Sequence, residues 1–122
     1  MKEVLLDTNF MITCTKQKID FFKYFYEEGY SVIIPNIVIT ELEKIATIGG
    51  SNNSTLASLS IRIMGKNNFK IINIKGKTVD KAIINYANNN QSITIATLDR
   101  EMQRKVKNKK FIIRGKNQLE LI

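Results

Sequence analysis

Short apolar runs alternate with helical patterns along the chain, and this alternation limits the choice of fold more than any other feature. The runs predict strands at residues 2–6, 31–35, 69–74, 92–97 and 111–114. Helices are predicted at residues 17–28 and 55–65, around Glu41 and Asp80, and from Asp99 through residue 106, with a loop at residues 49–54. Strands that alternate with helices pair in parallel and are covered on both faces. The sequence therefore predicts a single three-layer α/β/α domain, residues 1–122, with a five-stranded parallel sheet.

Length and charge favour one compact domain with a polyanionic partner. The chain has 122 residues, 43% hydrophobic content and a net charge of +8. This charge favours RNA, DNA or an anionic membrane surface as the partner. No stretch approaches the roughly twenty apolar residues of a membrane span, and the first strand begins without a signal-peptide core. We therefore expect a cytoplasmic protein with no membrane partner.

The absence of histidine and the single cysteine exclude several kinds of active site. The chain contains no His and one Cys, Cys14. A Ser-His-Asp triad, a Cys-His pair, a His-rich zinc site and an internal disulfide are all ruled out. Catalysis has to use carboxylates, lysines, hydroxyls or a metal held by oxygen atoms.

Four acidic residues occur where a predicted strand ends or a predicted helix lies. Asp7 and Asp99 follow strands, and the carboxyl ends of parallel strands form the ligand crevice of such sheets. Glu41 lies inside the apolar arc of its helix, whereas Glu43 lies outside it. Asp80 lies inside the arc of its own helix. Since a buried carboxylate is costly without compensation, we expect these acids to share one pocket.

Each acid also has a structural interpretation. Asp7 and Asp99 are suitable helix N-caps, and Asp80 near a helix start gains from the helix dipole. Glu41 has no such local reason, and its structural alternative is a buried ion pair with Lys or Arg. A cluster of three or four carboxylates needs shared protons or divalent cations, and oxygen-only ligands suit Mg²⁺ or Mn²⁺. Such a site predicts metal-assisted attack of water on a phosphodiester.

Basic residues crowd the segment from Arg100 to Lys116, directly after the last of the four acids. A solvated helix face is the ordinary explanation of such a run, but its position favours contact with a phosphate backbone. The aromatic cluster at residues 21–26 is expected to belong mostly to the core, with Tyr24, off the main stripe, as a candidate for stacking on a base or forming an interface. The predicted RNA-binding residues are Arg100, Arg104, Lys105 and Lys107.

Four motifs follow one another along the chain: LLDTN at residues 5–9, PNIVITEL at 35–42, VDKAI at 79–83 and ATLDREM at 96–102. In this order they resemble the motifs of the PIN domain family, and the resemblance covers almost the whole chain. It implies a parallel sheet of order 3-2-1-4-5 and a metal-dependent, mostly single-strand-directed ribonuclease with an acidic centre that binds Mg²⁺ or Mn²⁺. The archaeal and eukaryotic ribosomal-RNA-processing branch looks more similar than the VapC toxins, although that branch often has Asn where this chain has Leu98.

The resemblance also implies residue roles and partners. Asp7, Glu41, Asp80 and Asp99 match the four motif acids in that order, as catalytic and metal-binding residues. Two polar residues, Asn9 and Thr97, look like supporting residues. The implied partners are single-stranded RNA, a second copy of the chain, and either an antitoxin or a ribosome-assembly protein.

Two other functions remain open from the sequence. A non-catalytic RNA-binding module would keep the fold and the basic surface without turnover. A phospho-acceptor domain would use clustered acids to hold Mg²⁺ for aspartyl phosphorylation, but Glu41 in the middle of a helix fits that arrangement poorly. The leading hypothesis is an endoribonuclease in RNA maturation or in a toxin-antitoxin pair.

Overall fold

The computed structural model describes residues 2–122, which form six strands and six helices. The strands are β1 (Lys2–Leu6), β2 (Tyr30–Pro35), β3 (Lys70–Ile72), β4 (Thr94–Ala96), β5 (Lys110–Arg114) and β6 (Gln118–Leu121). The helices are α1 (Thr8–Lys16), α2 (Phe21–Glu27), α3 (Asn36–Ile48), α4 (Asn52–Gly65), α5 (Val79–Asn88) and α6 (Arg100–Lys105). None of the helices in this range is both long enough and apolar enough to cross a membrane.

All strands lie in one sheet of order β3-β2-β1-β4-β5-β6. The first five pair in parallel, which confirms the predicted fold class and the order 3-2-1-4-5. The predicted strand count of five is one too low, because β6 pairs antiparallel with β5. The turn between them contains Gly115 with a φ of 66°, a backbone conformation that favours glycine. This short turn reverses the direction of the chain, so that β6 lies along the outer edge of β5.

Helices cover both faces of the sheet. On one face α1, α3 and α4 pack against one another, and α5 contacts α6. Right-handed crossovers from β1 to β2 and from β2 to β3 place their helices on one face, and those leading to β4 and β5 place theirs on the other. The buried apolar side chains of the strands lie between these layers, as in the fully covered run Val4, Leu5 and Leu6. The three-layer arrangement follows.

Helix α1 was not predicted, and the predicted helix at 17–28 is too long. Most residues of α1 are buried, so no single apolar stripe marks it in the sequence. Its end is a Schellman turn, in which the Ile19 N–H donates to the Cys14 carbonyl oxygen at 2.9 Å and Lys18 has a φ of 59°. This turn ends the first helix, so that α2 begins only at Phe21, after its N-cap Asp20.

Several element boundaries also differ from the predictions. Helix α4 begins at Asn52 rather than near 55, because Ser51 and Ser54 form a reciprocal capping box that shortens the predicted loop. Strands β3 and β4 are shorter than predicted, since residues 73–77 and 97–99 leave the sheet as loops. These two loops lie at the carboxyl ends of the strands. They lead directly into α5 and α6 and thus into the region of the predicted site.

Candidate active site

Asp7 lies at the centre of the carboxyl edge, the edge of the sheet where its parallel strands end. It follows β1, and its backbone N–H donates to the Ala96 carbonyl oxygen of β4 at 3.1 Å. Its Oδ1 accepts from the Thr8 N–H at 2.8 Å, and its Oδ2 accepts from the Thr97 hydroxyl at 2.8 Å. The residue is 4% exposed. Asp7 is therefore both the N-cap of α1 and a buried carboxylate, so the structural and functional interpretations do not exclude each other.

Thr97 joins two of the predicted acids. Its side chain is fully buried, and its hydroxyl oxygen also accepts from the Asp99 N–H at 3.1 Å. The Gln103 amide donates to the Thr97 carbonyl oxygen at 2.9 Å and holds this loop from the other side. Because β1 and β4 are neighbours, residues separated by ninety positions in the sequence meet here. The predicted supporting position of Thr97 thus lies between Asp7 and Asp99.

Asp99 is the N-cap of α6. Its Oδ1 accepts from the backbone N–H groups of Glu101 and Met102 at 2.9 and 3.1 Å. These two bonds stabilise the helix start and leave the second carboxylate oxygen outside the cap. A capping carboxylate that is half-buried at a strand end can therefore hold the helix and still face the edge.

The other two predicted acids come from α3 and α5. Glu41 is half-buried, whereas Glu43 is exposed, as the helical phase predicts. Asp80 is exposed, so the prediction that it is buried within the apolar arc of its helix is wrong. It lies in the first turn of α5, before the buried residues Ala82 and Ile83 of the same helix. An apolar arc shows which residues lie on the same side of a helix. It does not show how much of the length of that side is covered by other elements.

Burial, together with the charges of neighbouring acids, raises the pKa of Asp7 and that of Asp80. Burial raises the pKa of Asp7 to about 6; the hydrogen bonds from Thr97 and Thr8 lower it, and the charges of Asp80 and Glu41 raise it further. Partial desolvation raises the pKa of Asp80, with added contributions from the neighbouring Asp99 and from Glu41. Within residues 2–122 none of the four acids forms a salt bridge with Lys or Arg. The edge therefore carries uncompensated negative charge.

The acids do not converge into a tight cluster. Over the described part of the chain, no three side chains of Asp, Glu, Cys or His lie close enough together to ligate one metal ion. Each Asp7 oxygen accepts one hydrogen bond, which leaves it with further acceptor capacity. The buried hydroxyl of Thr8 beside it has no hydrogen-bond partner within residues 2–122. Unused polar atoms therefore remain around Asp7.

A cavity beside Glu41 was not predicted from the sequence. It has a volume of about 400 Å³ and lies between α3 and the loop before α5, with Lys44 and Lys77 in its lining. The Asn36 side chain accepts from the Ile74 N–H at 2.9 Å and ties this loop to α3. A Cβ at Gly76 would come within 2.8 Å of the Ala82 Cβ, so the loop packs closely on α5. Only the tertiary structure shows that Lys44 and Lys77 line the same cavity as Glu41.

The predicted RNA-binding residues are distributed along α6 and beyond its end. Arg100 is next to Asp99 at the carboxyl edge. Lys105 is at the far end, where its carbonyl oxygen accepts from the Asn88 amide at 3.2 Å. Since Asn88 is eight residues after Asp80 on α5, this point is about 12 Å from the acidic end along the helix. Lys105 also pairs with Glu101 at 3.0 Å, and Arg104 and Lys107 are exposed. Asn9 is exposed on the first turn of α1.

Comparison with known proteins identifies the family. The family model described as the PIN-like domain matches residues 4–116. The chain belongs to this family. It is 27% identical over 110 residues to Ribonuclease VapC4 of Methanocaldococcus jannaschii, an alignment that covers 87% of this chain and 83% of that protein.

Solved structures support the same fold. The structure of the PIN domain endonuclease Utp24 has a TM-score of 0.79 at 22% identity, and the match covers 98% of this chain and 90% of that one. A domain of a functionally unknown protein from Methanocaldococcus jannaschii has a TM-score of 0.62 at 19% identity, covering 100% of this chain and 99% of that domain. At these identities the likeness concerns the fold alone.

Proposed function

We propose that this chain is an endoribonuclease that hydrolyses RNA phosphodiester bonds at the carboxyl edge of its sheet, with Mg²⁺ or Mn²⁺ as cofactor. The observation that carries the proposal is that the carboxylates of Asp7, Glu41, Asp80 and Asp99 lie within electrostatic reach of one another without a neutralising salt bridge in residues 2–122. The similarity to Ribonuclease VapC4 supports RNA as the substrate.

The oxygen atoms at this edge fit a hard divalent cation. Carboxylates and a hydroxyl are the available donors, and soft ligands are missing because Cys14 is buried elsewhere in the core. Mg²⁺ keeps several waters and binds through one or two carboxylates, so it does not require three acids in direct contact. The spread of the acids over the described residues is therefore compatible with such a cation. Asp7 and Asp99 are the proposed direct ligands, and Glu41 and Asp80 complete the negative field.

The side chains at this edge have separate tasks in the proposed reaction. A bound Mg²⁺ or Mn²⁺ supplies positive charge and lowers the pKa of the attacking water. Thr97 holds the Asp7 carboxylate in one orientation through its 2.8 Å hydrogen bond. Without metal, burial raises the pKa of the Asp7 carboxyl group to about 6, and a bound cation would favour its charged form and lower this pKa. Glu41 lines the cavity, and the nucleotide next to the scissile bond would lie in this cavity.

Basic residues around the edge support binding of the RNA backbone. Lys44 and Lys77 line the cavity beside Glu41, and we propose that they contact phosphates on one side of the scissile bond. On the other side Arg100 is adjacent to Asp99. Arg104, Lys105 and Lys107 continue the proposed contact along α6, with less direct access to the acids. A flexible single strand follows such a curved path more easily than a duplex does, so single-stranded RNA is the proposed substrate.

The biological setting belongs to the proposal as well. We place the chain, as a single nuclease domain of residues 1–122 acting in the cytoplasm, either in RNA maturation or as the toxin of a toxin-antitoxin pair. A homodimer, and an antitoxin or a ribosome-assembly protein as partner, are the associated hypotheses. Induced expression in a bacterial host separates the two settings: growth arrest by the wild type but not by Asp7→Asn supports the toxin, whereas unimpaired growth supports RNA maturation.

The central test is RNA cleavage with and without metal. Labelled single-stranded and structured RNA is incubated with the protein in Mg²⁺, in Mn²⁺ or in EDTA, beside the Asp7→Asn variant. We expect cleavage of the single strand in either metal, none in EDTA, and none by the variant. Cleavage that persists in EDTA, or full activity of Asp7→Asn, would contradict the proposal.

A non-catalytic RNA-binding module is the second candidate. The observation that favours it is that, among residues 2–122, no three acids are close enough to ligate one metal ion. The same assay distinguishes the two candidates when it is read together with a gel-shift measurement. Retained RNA binding without cleavage in Mg²⁺ or Mn²⁺ would support the module and exclude the nuclease.

A further inference from the structure

A second concave surface lies at the amino edge of the sheet, where the parallel strands begin, opposite the acids. It is a groove with a volume of about 570 Å³. Tyr30, the first residue of β2, and Lys70, the first residue of β3, both line it. The acids follow the strands and the groove precedes them. The six residues of β2 therefore separate the two sites by roughly 16 Å along the sheet.

Aromatic residues form part of the lining of this groove. The rings of Phe22 and Phe69 pack with centroids 6.3 Å apart, and Phe22 is buried. Tyr26 is one helical turn further along α2, on the same side, and is 82% exposed. The sequence pattern places Tyr26 on the apolar side of its helix together with Phe22 and so predicts it in the core. Its exposure shows that this prediction is wrong. An uncovered ring thus lies beside a concave surface.

Lysines supply the polar part of the same groove. Lys23, Lys66 and Lys70 line it, and none of its described lining residues is acidic. Lys70 approaches Glu3 at 3.5 Å, whereas Lys23 and Lys66 form no salt bridge within residues 2–122. Nearby, the Lys2 ammonium lies 4.5 Å from the centroid of the Tyr30 ring. The groove therefore combines one exposed tyrosine ring, that of Tyr26, with two lysines that form no salt bridge in the described residues.

This combination matches single-stranded nucleic acid. Ring faces stack on unpaired bases, and lysines neutralise the phosphates between them. A second copy of the chain fits less well, since lysines of both copies would face each other across a shared groove. An acidic peptide would match the lysines but offers no planar group for Tyr26.

We propose that this groove is a second RNA-binding site, in which a base of single-stranded RNA stacks on Tyr26 and the adjacent phosphates contact Lys23 and Lys66. The site holds RNA at the amino edge and takes no part in bond cleavage. One RNA molecule long enough to reach both edges gains affinity from the second attachment, because that step is intramolecular. A probe too short to span the sheet does not gain in this way.

Binding measurements in EDTA test the groove independently of the proposed function, because they need no cleavage. Fluorescence anisotropy with a long labelled oligouridylate gives the Kd of the wild type, Tyr26→Ala, Tyr26→Phe and the double variant Lys23→Ala/Lys66→Ala. We expect about a tenfold weaker Kd for Tyr26→Ala, and a change within about twofold for Tyr26→Phe, which keeps the ring. The double lysine variant should flatten the slope of log K against log salt by about 1.4, at about 0.7 per phosphate.

The matched control is the double variant Lys16→Ala/Lys18→Ala, which removes the same charge at exposed positions outside both the groove and the basic segment from Arg100 to Lys116. It should change the salt slope by less than half as much. Since Tyr26 is exposed, Tyr26→Ala should keep the wild-type Tm. Wild-type affinity of Tyr26→Ala, or equal loss in both lysine pairs, would overturn the proposal. Unchanged RNA affinity with an altered dimer equilibrium in sedimentation would overturn it as well and identify the groove as a protein interface.

Discussion

The two edges of one parallel sheet have opposite chemistry in this protein. At the carboxyl edge, β1 and β4 lead into the buried Asp7 and the half-buried Asp99. At the amino edge, β1, β3 and β5 begin with Lys2, Lys70 and Lys110. Because the first five strands point the same way, any residue that precedes a strand and any residue that follows one are placed at opposite edges. In a parallel sheet, whether a residue precedes or follows a strand therefore determines the edge of the sheet at which it lies.

The edges also differ in how their side chains are held. Asp7 accepts two hydrogen bonds, and Thr97 connects it to the neighbouring loop. Tyr26 is 82% exposed, so most of its ring lies in solvent. A constrained, desolvated group suits chemistry, since its orientation and its pKa are set before the substrate binds. An exposed ring and exposed lysines suit attachment of a flexible polymer.

The strongest test of the comparison replaces one capping aspartate at each edge. Asp7→Asn should lower single-turnover RNA cleavage by a hundredfold or more, about 2.7 kcal/mol, because it removes a charge from the acidic centre. Asp20 caps α2 through the Lys23 N–H at 3.3 Å and is exposed, so Asp20→Asn should leave cleavage within about twofold. Both changes keep a good cap residue. Similar losses in the two variants would remove the distinction between the edges.

The next effect concerns stability against pH without metal. Asp7 has a pKa of about 6 in the folded protein against an ordinary value of 3.8, so the folded state binds this proton more tightly than the unfolded chain does. Its carboxylate therefore costs stability at neutral pH, and the cost disappears as the pH falls through 6 towards 3.8. In EDTA, the free energy of unfolding of the wild type relative to Asp7→Asn should rise by on the order of 2 kcal/mol between about pH 7 and about pH 4.

Urea unfolding of both proteins at several pH values measures this difference. Other carboxylates titrate in both proteins and cancel in the comparison. A wild-type curve parallel to that of Asp7→Asn would mean that the Asp7 carboxylate is not desolvated as its 4% exposure indicates.

A smaller expected effect tests which side of α3 contributes to the carboxyl edge. Glu41→Gln should lower cleavage about tenfold, roughly 1.4 kcal/mol, because Glu41 is half-buried beside the cavity and contributes to the negative field. Glu43 is exposed on the same helix, and Glu43→Gln should stay within about twofold. Single-turnover kinetics in Mn²⁺ measures both. Equal effects would show that proximity to the cavity is irrelevant to the reaction.

The smallest effect separates the two ends of α6. Arg100→Ala should raise the KM for single-stranded RNA about threefold, roughly 0.7 kcal/mol, since this residue adjoins Asp99 at the carboxyl edge. Lys107 follows the far end of α6, and Lys107→Ala should change KM by less than half as much. Steady-state cleavage at fixed ionic strength supplies the values. A larger effect of Lys107 would place the RNA path along the whole helix.

Much of the fold followed from local patterns, and the exceptions share one cause. Short apolar runs bounded by polar residues identified the five parallel strands, and motif order indicated their arrangement. Helix α1 was not predicted because it is buried on most sides. Strand β6 was not predicted because only two of its four residues, Leu119 and Glu120, are partly buried. Periodicity reports which residues share a face of an element. It does not report whether another element covers that face, which is why Asp80 and Tyr26 were wrongly placed in apolar environments.

The sequence by itself determined the chemistry that is available: carboxylates, hydroxyls and lysines without histidine, and the order of elements that places Asp7 and Asp99 after strands. Only the tertiary structure decided how these groups act on one another. The hydrogen bond between Thr97 and Asp7 joins residues ninety positions apart, and the pKa of Asp7 depends on burial by elements distant in the chain. The groove likewise exists only where α2, β2 and the residues after α4 meet. Desolvation and charge coupling depend on distance in space, which local sequence does not specify.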